Sequence, residues 1–128
     1  MPKAIVQEER ESREWSPAAK ATTETTPIFH VKSGWRLLAA SVRVITPLKA
    51  GSTGTIVLGD GGDTDRFITA AVVTETTAGI YDGGGAGFTP GGGYLYTTED
   101  AIDVVYTADP TETDVMRCKF TMTYRKEE

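Results

Sequence analysis

Three carboxylates fall within six residues in the run Gly59-Asp60-Gly61-Gly62-Asp63-Thr64-Asp65. Calcium takes several oxygen ligands, and an acidic loop of this kind is one way to supply them. The spacing is not that of an EF-hand, however, and no downstream glutamate stands at the ligand position that motif requires. Asp and Gly are also what a tight turn demands, because Gly takes positive φ and Asp bonds nearby backbone amides. The run is therefore expected to form a corner, with Asp63 or Asp65 bonding loop amides and Arg66 pairing with one of them. No metal is assigned, although cation binding by Asp60 to Asp65 stays open.

Other chemistry-bearing residues do not converge. The segment Gly83 to Gly93 (GGGAGFTPGGG) is rich enough in glycine to cradle a phosphate, but it has no lysine and no helix pattern follows it. It reads as a surface loop in which Phe88 is the one large side chain. His30 is the sole histidine and Cys118 the sole cysteine. Cys118 alternates with Met116 and Phe120 on a core-facing pattern, where a thiol is chemically quiet. Glu99, Asp100 and Asp103 lie beside a turn, and nothing places two of them across a cleft as glycoside hydrolysis requires. No catalytic residue and no cofactor are assigned.

The elements that must position these residues are strands. The chain holds 128 residues, enough for one domain, with 20 threonines and 14 glycines. Threonine is branched at Cβ and suits pleated backbone, while glycine supplies turns. Residues 116–125 give the clearest pattern: Met116, Cys118, Phe120, Met122 and Tyr124 alternate with Arg117, Lys119, Thr121, Thr123 and Arg125. A period of two means one buried and one wet face. Further strands are expected at 28–31, 35–46, 55–58, 66–73, 94–98 and 101–108. Ala40, Val42 and Val44 should face inward, opposite Ser41 and Arg43. Six to eight strands without a central helix predict an all-β antiparallel sandwich over 27–128.

Residues 1–26 read differently, as an N-terminal arm and linker. Glu8 to Trp15 (EERESREW) is dense in charge. It fits a short helix with Glu9 and Arg13 paired at i,i+4, or an arm ordered against a neighbour. The net charge of −5 and pI near 4.9 argue against phosphate neutralisation, so no nucleic-acid partner is expected. No apolar run reaches the roughly 18 residues that span a bilayer, and no membrane partner is expected.

The stretch WRLLAASVRVITPLKAGSTGTIVLGDGGDTDRFI (Trp35 to Ile68) resembles small structural proteins of tailed bacteriophages. The glycine-rich loop, the Tyr94-Leu95-Tyr96-Thr97 strand, the strand ending Tyr106-Thr107-Ala108 and the last alternating strand extend that likeness across residues 28–125. The resemblance implies a jelly-roll-like sandwich in the virion, assembled in the host cytoplasm, without enzymatic activity. A head decoration or cement protein is the leading expectation, bound to the major capsid protein or other virion subunits and forming a homo-oligomer, with trimers suited to three-fold axes. A tail or baseplate component and a carbohydrate-binding sandwich, using Tyr81, Phe88, Tyr94 and Tyr96, are the alternatives. Arg10, Arg13, Trp15, Tyr81 and Phe88 are the candidate partner-binding residues, with Trp15 anchoring the arm as a strap, because interface hot spots favour Trp, Tyr and Arg.

Overall fold

A computed structural model describes residues 8–83 and 93–126 of the chain. Among them, eight strands and no helix are found: β1 (Glu8–Trp15), β2 (Glu24–Val31), β3 (Trp35–Thr46), β4 (Thr55–Gly59), β5 (Gly79–Asp82), β6 (Tyr94–Leu95), β7 (Asp100–Thr107) and β8 (Arg117–Lys126). They form two antiparallel sheets. The larger runs β1-β8-β3-β5, with β6 also on β3, and the smaller runs β2-β7-β4. The pairings are nested: first strand with last, β2 with β7, β3 with β6. Such a ribbon folded back over itself is the jelly-roll wrap. The expected antiparallel sandwich is therefore the observed fold.

Burial follows the strand period. Cys118, Phe120, Met122 and Tyr124 of β8 are buried, as are Leu37, Ala40, Val42 and Val44 of β3. They meet Ile56 and Leu58 of β4, Ile102, Val104 and Tyr106 of β7, and Phe29 and Val31 of β2 in one core. A bulge between Leu37 and Ala39 resets the alternation of β3, so Leu37 and Ala40 both point inward although three residues apart.

The segment Glu8 to Trp15 is a strand, neither a helix nor an arm held off the body. It pairs with β8 along its whole length, from Glu8 opposite Arg125 to Trp15 opposite Cys118. The anticipated Glu9–Arg13 pair is replaced by contacts of strand period. Arg13 lies 3.6 Å from Glu11, and Glu9 lies 3.2 Å from Lys126. Ser12 and Thr121 hydroxyls bond across the strands at 2.9 Å. Charge suits this position, because an edge strand dense in Glu and Arg resists pairing with a stranger. Trp15 closes the strand from inside, 5% exposed, edge-on to Tyr106 and Phe120. It is a core residue, so the strap anchored by Trp15 is not realised.

The expected strand at 66–73 is also absent. Only Ile68 bridges to Leu58, and turns follow. Phe67, Ile68 and Val73 are nonetheless buried, since an apolar run fills a core from a turn as well as from a strand. In its place β5 (Gly79–Asp82), which carries no sequence pattern of its own, pairs with β3.

Trp15→Ala should destabilise the fold by about 3–5 kcal/mol, the usual loss for a large core side chain. Urea unfolding followed by circular dichroism measures this; an unchanged midpoint would return Trp15 to the surface.

Candidate interaction surfaces

The acidic corner is organised by Asp60 rather than by Asp63 or Asp65. Asp60 directly follows β4 and is 2% exposed. One of its oxygens accepts the Gly62 and Asp63 amides at 3.0 Å each, and the other accepts Arg66 Nε at 2.9 Å and the Tyr96 hydroxyl at 2.7 Å. Burial opposes ionisation of this carboxyl, but Tyr96, Arg66 and the Asp63 amide overcome it and hold its pKa below the ordinary value. Arg66 also lies over the Tyr94 ring, 4.3 Å from its centroid. The chain closes the loop over Gly59, where an added Cβ would lie 2.2 Å from the Asp63 carbonyl oxygen. Arg66 thus pairs with Asp60, while the Asp63 carboxylate accepts the Asp65 amide at 3.3 Å. With Asp60 occupied by protein donors, the corner acts as a clamp between the sheets.

A second set of acids, not singled out in the sequence, does the same at the opposite end. Asp109 accepts the Thr111 amide and hydroxyl and the Thr53 amide, and these hold its pKa down at about 2. Glu112 accepts the Ser52 hydroxyl at 2.5 Å and the Lys49 and Asp114 amides. Glu75 accepts the Ile56 amide at 2.9 Å, and its burial raises its pKa. Their signal was a run of Asp, Glu and Thr near turns, which sequence alone does not separate from solvated acids.

The remaining chemistry-bearing residues stay apart. His30 is exposed on β2 and faces Glu99 at 3.1 Å. Cys118 is fully buried on β8 in the other sheet, and burial pushes its thiol up to about 12. Among the described residues, no group of three His, Cys, Asp or Glu is placed to hold a metal.

The candidate contact residues fall in different places. Arg10 projects from the outer face of the larger sheet, where it lines a shallow concavity of about 460 Å³ with Ser12, Ala39, Ser41, Thr121 and Thr123. Arg13 lines a separate hollow beside Pro27, Phe29 and His30. Tyr81 is half-buried and donates to the Thr77 carbonyl at 2.8 Å. Phe88 lies outside the described residues. Tyr96 is buried and Tyr94 packs edge-on against it and Phe67. The aromatics that a sugar would need are thus spent largely on the core.

No protein-family model matches the sequence, and no curated protein matches it either. Solved structures do resemble it. A chain of the cyanophage Pam1 capsid asymmetric unit superposes with a TM-score of 0.64 at 15% identity, covering 98% of this chain and 91% of that one. A chain of the acid-stable capsid of the Helicobacter pylori bacteriophage KHP30 superposes with a TM-score of 0.61 at 13% identity, covering 94% and 93%. At these identities the likeness is one of fold.

Two outcomes test the clamps. Asp60→Ala should cost about 3–5 kcal/mol, because it strands a partly buried guanidinium and a buried hydroxyl, while Asp63→Ala should cost less than about 1 kcal/mol. Equal effects in urea unfolding would remove Asp60 from its central role. The second outcome concerns pH. Asp60, Asp109 and Glu112 ionise at lower pH folded than unfolded, where the reference values are 3.8 and 4.5. Their stabilisation is complete above those values and is lost as pH falls towards 2. Glu75 and Asp103 are shifted upward by burial, so their penalty at neutral pH fades as they protonate. Melting temperature should stay level or rise slightly from about pH 7 to 5, then fall below about pH 4. A continuous rise down to about pH 2.5 would contradict this assignment.

Proposed function

We propose that this chain is a non-enzymatic structural protein of a tailed-phage virion, and specifically a decoration or cement protein that stabilises the head. One observation carries the reading: the chain matches, nearly end to end, chains of similar length in two phage capsid structures. The likeness therefore runs over more than nine-tenths of each compared chain. The residues agree with it. Each buried carboxylate described above is engaged in holding loops, and the one thiol is buried in the core.

Such a protein works by adhesion. A standard contact covers roughly 800 Å² per partner, about a tenth of the 7104 Å² this chain exposes. Several contacts therefore fit on one molecule, which is what bridging shell subunits requires. The partners in this reading are the major capsid protein or other virion subunits, together with further copies of the chain. Because β1 belongs to the sandwich, adhesion is assigned to sheet faces and loops rather than to a peeled strap. The sugar-binding alternative loses its platform with Tyr96 buried and Tyr94 packed beneath Arg66.

Immunogold labelling of purified phage particles with an antibody to this chain tests the proposal. Label spread over heads is expected. Label confined to tails would move the chain to the tail or baseplate, and unlabelled particles would overturn the virion reading altogether.

A further inference from the structure

The outer face of the larger sheet gathers positive charge in a chain whose net charge is −5. Register places Arg10, Arg36, Arg43, Arg117, Lys119 and Arg125 there, with Glu8, Glu14 and Asp82. That is six of the thirteen basic residues but three of the eighteen acidic ones. The arrangement works against folding. Arg43 stands directly opposite Lys119. Like charges opposed across strands destabilise a sheet. Glu14 lies 2.5 Å from Arg117, yet Arg10, Arg43 and Lys119 have no ion-pair partner among the described residues. Beside Arg10 the same face holds a shallow concavity bordered by the hydroxyls of Ser12, Ser41, Thr121 and Thr123, with Asp82 also at its edge. A face built at a cost to the fold, with cations and a seat of hydroxyl donors, suits a carboxylate-bearing protein surface.

The chain itself carries a matching surface. Asp63 and Asp65 on the corner loop, with Glu99 just before β7 and Asp100 at its start, lie at one end of the sandwich. Their neighbouring cation Arg66 is committed to Asp60. The acids there crowd one another: a hydrogen bond and charge from Asp63 raise the pKa of Asp65, and Asp103 feels burial first, then Asp100 and Asp60.

We propose that the outer face of the larger sheet is the docking surface for a second copy of this chain, which presents its acidic end to Arg10, Arg43 and Lys119. The two surfaces differ, so the contact is head to tail, and a repeated head-to-tail contact closes a ring when its rotation allows. The overall negative charge opposes other orientations, so complementarity selects this one. The proposal deepens the self-association part of the preceding reading and does not depend on its particle part.

Sedimentation velocity of the full chain at about 50 and 500 mM NaCl tests it. Concentration-dependent association is expected at low salt, weakened at least about tenfold at high salt because exposed charges are screened. Arg43→Glu/Lys119→Glu and Asp63→Lys/Asp65→Lys should each remain monomeric while keeping the native circular dichroism spectrum. Mixing the two double variants should restore a complex, since each then supplies what the other lacks. A monomer at every concentration in low salt overturns the proposal, as does an oligomer that both variants leave intact. A monomer that retards duplex DNA through Arg43 and Lys119 also overturns it, giving the face to a polyanion instead. Immunogold label on heads alongside a monomeric chain would sink this contact alone, whereas a head-to-tail oligomer absent from particles would sink the virion reading alone.

Discussion

The two-sidedness of β8 is the constraint on which the larger sheet depends. It lies between β1 and β3 and sets the register of both. A slip of one residue would carry Lys119 and Arg125 into the core and Phe120 and Met122 into water, because the side-chain period is two. That penalty is large compared with the weak surface ion pairs along β1. The same strand therefore fixes the core on one side and the cationic face on the other. The binding surface and the hydrophobic seam are consequences of a single register.

The smaller sheet is held differently. A full jelly-roll wrap would pair β4 with a strand following it, yet only the Leu58–Ile68 bridge forms there. The missing ladder hydrogen bonds are replaced by side chains. Asp60 directly after β4 gathers the loop amides and Arg66, and receives the hydroxyl of Tyr96, which lies just beyond β6 in the other sheet. At the far end Glu75, Asp109 and Glu112 bind backbone amides around the start of β4. Short polar clamps thus close both ends of a sheet that has lost its fourth strand.

What the sequence made legible follows from the same physics. β3 and β8 announce themselves because one face of each is buried and the alternation is long. β1 does not, since Glu and Arg have low strand propensity and its single core contact, Trp15, comes at the last residue. It is a strand because β8 offers an unpaired edge, a tertiary fact that no local pattern encodes. β5 is invisible for the same reason, being four residues laid on β3. The run 66–73 misleads in the opposite direction: its apolar residues are buried, but by turns. Spacing placed Arg66 beside Asp63 and Asp65, whereas the guanidinium turns back to Asp60, whose carboxylate faces the interior.

Charge shows most clearly how a fold changes the meaning of a composition. A total of −5 describes a molecule repelled by polyanions at long range. Strand pleating, however, sorts neighbours in sequence onto opposite faces, and MRCKFTMTYRK sends Arg117, Lys119 and Arg125 to the same outer face while its oily residues go inward. β3 adds Arg36 and Arg43 to that face through its pairing with β8. Asp60, Glu75, Asp109 and Glu112 lie instead in loops, where they bind backbone amides. A sandwich of this kind becomes electrically polarised by the rules that make it fold. Beyond a Debye length a neighbour feels the total, but at contact it feels the face it meets.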